Sequence, residues 1–144
     1  MGQRVYNFDA EMEFKDAGLV AASAAAQVDS ADQIIDVGVG RFEGVMVIDV
    51  TACEIASNDE LYTVTVQGSS SATFASDIQN LAMIDFGATE VRKGGGIDTS
   101  VGRYELPFCN EQDDIKYRYL RLYTTVAGSI ATGINYSAFA ATKY

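Results

Sequence analysis

Side chains alternate in character along residues 116–126, and this alternation constrains the possible fold more than any other part of the sequence. One set of alternate positions is mostly apolar: Leu120, Leu122, Thr124 and Val126. The intervening set is large and polar or aromatic: Tyr117, Tyr119, Arg121, Tyr123 and Thr125. Successive side chains of a β-strand point to opposite faces of a sheet. The segment is therefore predicted to be a strand with one buried face and one face of tyrosine and arginine.

Short segments of the same kind recur from residue 33 onward, separated by turns rich in Gly, Asn, Asp and Ser. Residues 44–55 and 61–67 alternate with a two-residue period, and the turn cluster at residues 57–60 between them predicts a hairpin. Further strands are predicted at residues 81–86, 103–108 and 130–140. Roughly seven or eight short strands without a long helix indicate an all-β fold, an antiparallel β-sandwich or jelly roll with an extended N-terminal arm.

The N-terminal residues 1–27 differ from the rest of the chain. Their Ala- and Ser-rich part, residues 20–26, has no large apolar side chains at helical spacing. We therefore expect an extended or weakly helical arm over residues 1–27, which either lies on a neighbouring molecule or is a mobile terminus. Residues 28–144 are expected to form a single β-sandwich domain, since a chain of 144 residues has the usual size of one domain.

The formal net charge of -10 limits the classes of partner. An acidic surface repels phosphate backbones and anionic lipid headgroups, so we expect no direct nucleic-acid binding and no membrane attachment. No apolar run approaches the roughly 20 residues that span a bilayer, and the residues after Met1 do not resemble a secretion signal.

Catalytic chemistry has little support in the composition. The absence of histidine removes the Ser-His-Asp triad and the usual zinc ligands. A glycosidase that uses two carboxylates remains possible in principle, with Asp98 and Glu105, or Asp114 in the same region, as candidates. Because 20 acidic residues must bring some carboxylates together by chance, we expect no enzyme activity and no cofactor.

Two further groups of residues bear on metal binding and cross-linking. Residues 58–60 and the pair Asp113 and Asp114 carry loop carboxylates that suit a weak Ca²⁺ site, but they lack the spacing of a calcium-binding loop. We expect no bound metal. Cys53 and Cys109 are expected to be reduced, because a lone pair in a chain without a secretion signal is usually unbonded.

Tyrosine and arginine are favoured at the centres of protein interfaces, which predicts a contact surface. The residues expected to contribute are Phe8, Phe14, Arg103, Tyr117, Tyr119, Arg121 and Tyr123. Two alternatives stay open. Large side chains can simply cover a sheet, or the tyrosines can stack on sugar rings in a carbohydrate-binding β-sandwich module. The absence of tryptophan weighs against the sugar-binding alternative.

The chain resembles the jelly-roll cement (decoration) proteins of tailed-bacteriophage capsids over nearly its whole length. The segments that carry the resemblance are residues 14–27, 34–38, 47–52, 102–108, 117–123 and 133–136. The resemblance implies a structural protein on the capsid exterior of the virion, and a carbohydrate-binding module would in that setting belong to a phage tail or fibre. The lack of a secretion signal fits assembly in the host cytoplasm. The resemblance also implies that the major capsid protein is the partner, that neighbouring capsomers are bridged, and that the protein is a homo-oligomer, with a dimer favoured. It implies no catalysis and no cofactor.

Overall fold

The computed structural model describes residues 6–93 and 95–142, and these form a β-structure. A short 3-10 helix, Ala10–Met12, precedes the first strand. The strands are β1 (Glu13–Lys15), β2 (Leu19–Val20), β3 (Ala24–Ala25), β4 (Gln27–Val28), β5 (Ala31–Asp32), β6 (Ile35–Asp36), β7 (Glu43–Cys53), β8 (Leu61–Ser69), β9 (Gln79–Gly87), β10 (Gly102–Cys109), β11 (Glu111–Gln112), β12 (Ile115–Lys116), β13 (Tyr119–Ala127) and β14 (Ile134–Thr142).

Two antiparallel sheets contain all the long strands. In sheet I the strand order is β1-β14-β7-β10, and β2 also pairs with β14. In sheet II the order is β3-β13-β8-β9, and β6 also pairs with β13. Two small hairpins, β4-β5 and β11-β12, lie outside the two sheets. The predicted all-β sandwich is confirmed.

The order of the eight main strands is that of a jelly roll. Along the chain, β1, β3, β7 and β8 alternate between the sheets, β8 and β9 are neighbours in sheet II, and β10, β13 and β14 alternate again. This pattern of two interlocked Greek keys defines the jelly-roll topology. Consecutive long strands therefore belong to opposite sheets, with β8 and β9 as the exception.

The predicted hairpin of residues 44–55 with residues 61–67 is wrong, because β7 belongs to sheet I and β8 to sheet II. The chain crosses between the sheets at Glu60, whose buried carboxylate accepts hydrogen bonds from the backbone N–H groups of Ser57 and Asp59. Gly87 and Gly128 have positive φ and lie directly against the backbone at Asp59 and Glu60, where a Cβ would clash. This packing fixes the crossover.

The core lies between the two sheets, and the alternation predicted for β13 is observed. Leu120, Leu122 and Thr124 point inward and are buried, and Val126 packs against the same core. The polar member, Thr124, is satisfied by a 2.6 Å hydrogen bond between its hydroxyl and that of Tyr136. The other large buried side chains come from both sheets: Met46, Ile48, Tyr62, Val64, Val66, Phe86 and Ile134.

The segment predicted as an N-terminal arm is part of the sandwich from β1 onward, as far as the structure describes it. Strands β1 and β2 extend sheet I, whereas β3 extends sheet II. Phe14 is completely buried in the core. Lys15 is also buried, and its ammonium donates hydrogen bonds to the carbonyls of Asp16, Gly18 and Tyr136 at 3.0, 3.0 and 2.8 Å. Phe14 and Lys15 therefore hold the segment in place. The small residues that follow them in the sequence gave no indication of this anchoring.

Candidate functional site: the outer face of sheet II

The outer face of sheet II carries three cross-strand rows of side chains from β13, β8 and β9. The rows are Arg121–Gln67–Asn80, Tyr123–Thr65–Met83 and Thr125–Thr63–Asp85. From strand spacings, the rows cover a field roughly 10 Å wide and 13 Å long. Met83 is 56% exposed, and the tyrosine and arginine of β13 are half-buried. We call these nine residues, together with Tyr119 at the start of β13, the open face.

Arg121 is held in a fixed orientation at one end of the open face. Its Nε donates a 2.9 Å hydrogen bond to Oε1 of Gln67. Its guanidinium carbon lies 4.4 Å from the ring centroid of Phe74 and 5.4 Å from that of Tyr123. Cation–π contacts on two rings, together with one hydrogen bond, restrict the planar guanidinium to a narrow range of positions.

Phe74 reaches Arg121 because the loop between β8 and β9 folds back over the sheet. The backbone of Phe74 is in the left-handed region, with φ of 56°. Ser69 fixes the loop, since its hydroxyl donates a 2.6 Å bond to the carbonyl of Ser76 and accepts a bond from the N–H of Ser71. The hydroxyl of Ser71 accepts bonds from Thr73 and Ala75. Phe74 was missed in the sequence, although it is the only aromatic residue between Gly68 and Gln79.

An ion pair borders the open face beyond Arg121, at the same end of β13. Arg118 forms two bonds to the carboxylate of Asp36, at 2.8 and 2.9 Å, and lies 5.5 Å from the ring centroid of Tyr119. Asp36 belongs to β6, which pairs with Tyr119 at this point. The hydrogen bond from Arg118, and a second from the N–H of Gly38, hold the pKa of Asp36 below its ordinary value.

Tyr117, predicted to share the outward row of β13, does not belong to it. The residue precedes the strand and is only 8% exposed. Its backbone N–H donates to the carbonyl of Asn110 and its carbonyl accepts from the Asn110 side-chain amide, at 2.8 and 2.9 Å. Its side chain packs closely over Gly68. The alternation ends here because the chain turns between β12 and β13.

The outer face of sheet I, opposite the open face, is covered by the N-terminal segment. Val45, Val47, Phe139 and Ala141 form a second buried cluster, against which Tyr6 packs. Phe8 contacts the Phe139 ring edge-on at 5.3 Å. The chain upstream of β1 therefore lies on apolar side chains that would otherwise face solvent. We call this the covered face.

The seven residues predicted to form protein contacts are thus divided among three places. Tyr119, Arg121 and Tyr123 come together on the open face. Arg103 and Phe8 lie on the covered face, where Arg103 bonds Asp49 at 2.7 and 3.0 Å and lies 5.7 Å from the Phe139 ring. Phe14 and Tyr117 are buried.

Three of the carboxylates that the sequence offers for catalysis or calcium binding, Asp98, Glu105 and Asp59, have structural partners. Asp98 accepts the N–H of Thr89 at 2.8 Å, and Glu105 accepts the Tyr6 hydroxyl. Asp59 accepts the N–H and hydroxyl of Ser129, which lowers its pKa. Within residues 6–93 and 95–142, no group of three or more acidic or cysteine side chains could hold a metal ion. Cys53 and Cys109 are free.

One groove, of about 270 Å³, is lined mainly by small residues between Lys15 and Gln27. Burial lowers the pKa of Lys15 in its wall, while Asp16 acts in the opposite direction. Three backbone carbonyls already accept hydrogen bonds from this ammonium, so it serves to anchor the chain.

The described residues contain no helix that could cross a bilayer.

Comparison with known proteins adds no assignment to these observations. The sequence matches no protein-family model, and a search of curated proteins finds no significant similarity. The inference of function therefore depends on the fold and on the chemistry of its two outer faces.

Proposed function

We propose that this protein is a structural capsid-decoration protein of a tailed bacteriophage. In this proposal it binds the outside of the major capsid shell, bridges neighbouring capsomers and stabilises the head without catalysis. The single observation that carries the proposal is the open face, a field of tyrosine, arginine and mostly uncharged side chains on a jelly roll whose opposite face is covered.

The chemistry of the open face suits adhesion to a large protein surface. Tyrosine offers a broad contact area with few rotatable bonds, and arginine combines stacking with several hydrogen-bond donors. Around them lie short polar side chains that tolerate water at an interface, such as Thr63 and Thr125. A shell offers many equivalent sites, and bridging two capsomers makes the second contact intramolecular, so modest contacts add up to firm attachment.

The proposal is tested by binding purified shells to the Arg121→Ala/Tyr123→Ala double variant. Loss of two central interface side chains is expected to weaken binding by about 30-fold or more. The matched control is Arg103→Ala, which removes an arginine from the covered face and should bind as the unmodified protein does. Undiminished co-sedimentation of the double variant would overturn the site assignment. Heads that withstand heat and osmotic shock equally well without the protein would overturn the function.

The oligomeric state is part of the proposal. We propose a homo-oligomer, with a dimer favoured, because a symmetric molecule can present two equivalent contact faces to adjacent capsomers. Native mass measurement of the isolated protein and of the protein on shells distinguishes assembly in solution from assembly on the capsid.

A carbohydrate-binding module is the second candidate, because the open face also combines a half-buried tyrosine with amide and carboxylate groups. Tyr123 lies in the row between Gln67 and Asn80 on one side and Asp85 on the other. An aromatic platform flanked by hydrogen-bonding groups can hold a sugar ring. Saturable binding on a glycan array that is lost in Tyr123→Ala would favour this function over capsid decoration.

A further inference from the structure

The arginines of the chain differ in what their guanidinium groups bind. Arg41, Arg103 and Arg118 each bond a carboxylate, and Arg92 donates to the carbonyl of Ile97. Arg121 bonds only the side-chain amide of Gln67, through its Nε. Among the arginines that the structure describes, Arg121 therefore has neither a carboxylate nor a backbone carbonyl partner, although the chain carries a net charge of -10.

Arg121 is held in an orientation that suits the binding of an anionic group. Phe74 and Tyr123 hold the guanidinium, and Gln67 occupies its Nε, so the two terminal nitrogens stay available. Two parallel N–H groups match the two oxygens of a carboxylate and bind them in a bidentate manner. Because the side chain is already ordered, little conformational entropy is lost when such a partner arrives.

The surroundings of Arg121 define the kind of surface that fits. The neighbouring row, Tyr123–Thr65–Met83, is uncharged. Asp85, the acidic residue of the open face, lies roughly 13 Å further along the strand direction and accepts a 2.7 Å hydrogen bond from the Thr63 hydroxyl. On the other side, beyond Tyr119, the charges of Arg118 and Asp36 already satisfy each other. A complementary partner would therefore carry one acidic side chain opposite Arg121, within a patch that is otherwise uncharged.

We propose that Arg121 is a pre-formed binding site for an aspartate or glutamate side chain of the partner protein that docks on the open face. This inference deepens the proposed binding function of the same face and rests on it. Phe74 and Gln67 act as positioning residues, because they orient the guanidinium without contacting the partner's carboxylate.

The site can be tested without a partner, by following the Nε–Hε resonance of Arg121 in ¹⁵N NMR spectra. The probes are the blocked tripeptides acetyl-Gly-Glu-Gly-amide and acetyl-Gly-Gln-Gly-amide, with inorganic phosphate as a third arm. We expect a saturable shift with the glutamate peptide and a response about tenfold weaker with the glutamine peptide, since the charge-assisted pair is lost. The Arg103 resonance, already paired with Asp49, should not respond.

Several outcomes would overturn this inference. Equal responses to the two peptides would show that no carboxylate is recognised, and a tighter response to phosphate would identify a general anion site. In Arg121→Lys the charge is kept but the planar fork is lost, so the glutamate response of Tyr123 resonances should weaken several-fold. An undiminished response would show that a positive charge alone is sufficient, and would overturn the bidentate carboxylate site.

The titration is independent of capsid binding, so the two proposals can fail separately. A saturable glutamate response, combined with failure to bind shells, would keep the carboxylate site and remove the capsid function. Shell binding without a glutamate response would keep the capsid function and remove the carboxylate site. Self-association that is lost in both Arg121→Gln and Asp85→Asn would identify a second copy of the chain as the source of the carboxylate and would support the inference.

Discussion

The two outer faces of the sandwich start from similar strands but differ in what lies on them. On sheet I, the outward side chains of β7 and β14 include Val45, Val47 and Phe139, and Tyr6 and Phe8 lie over them. On sheet II, the outward side chains of β13 and β8 are tyrosine, arginine, threonine and glutamine, with the loop residue Phe74 packed at one end. One face has become part of the core, whereas the other remains a surface.

The difference teaches that an outward direction in a strand does not by itself make a binding surface. Phe8 and Arg103 point away from the inter-sheet core and remain largely exposed, yet they pack on Phe139 and help to cover the buried side chains of sheet I. Tyr123 and Arg121 have the same orientation relative to their own sheet, where Phe74 of the 70–78 loop packs on Arg121 and Arg121 packs on Tyr123. Their large side chains are thus available for a partner.

The largest expected effect is a difference in the free energy of unfolding between variants of the two faces. Phe139→Ala should lower the free energy of unfolding by about 3 kcal/mol, because it empties a buried aromatic position beneath Phe8. Tyr123→Ala, the matched change on the open face, should cost about 1 kcal/mol, mostly from the lost contact with Arg121. Urea unfolding measures both. Equal losses would contradict the distinction between a covered and an open face.

A smaller effect is expected from Lys15, which anchors β1 and the turn after it to β14. Lys15→Met leaves the carbonyls of Asp16, Gly18 and Tyr136 without their shared donor, and should destabilise the fold by about 2 kcal/mol. Lys116→Met is the control, because that lysine is exposed and makes a 3.7 Å ion pair with Glu111 worth well under about 1 kcal/mol. Thermal unfolding of both variants should rank them in this order. The reverse order would show that Lys15 does not anchor β1.

Strand positions and fold class were predictable because alternation is a local property of the sequence. The same signal also indicated which side of β13 enters the core. The partner of each strand was not predictable in this way. The turn at residues 57–60 suggested a hairpin, but only the packing of Gly87 and Gly128 against Asp59 and Glu60 shows that the chain changes sheets there. Such contacts join residues far apart in the sequence.

The candidate site was predicted only in part for the same reason. Tyr119, Arg121 and Tyr123 lie on one strand, so their periodicity identified them. Phe74 and Gln67 come from other elements, and no local pattern connects them with Arg121. The covered face did leave a signal, since Val45 and Val47 interrupt the polar positions of β7 and make it apolar on both sides. Such a run is typical of a strand buried on both faces, but the prediction for residues 44–55 used only their two-residue alternation.

The smallest expected effect concerns the border of the open face. The bond from Arg118 holds the pKa of Asp36 below its usual value of 3.8. A carboxylate with a lowered folded-state pKa stabilises the fold above its unfolded pKa, and the stabilisation is lost as the pH falls through the lowered value. Following the Asp36 carboxyl carbon by NMR should therefore give a midpoint below that of an ordinary aspartate.

Arg118→Gln should raise this midpoint, but only part of the way, because the N–H of Gly38 still bonds the Asp36 carboxylate. Glu54 is the internal control, since its pKa is lowered by the backbone N–H groups of Gly133, Thr132 and Ala131, far from Arg118. Its midpoint should not move. If the Asp36 midpoint is the same in both proteins, Arg118 does not hold this carboxylate in solution. Arg118 would then lie unpaired beside Tyr119, and Arg121 would no longer be the exception among the arginines bordering the open face.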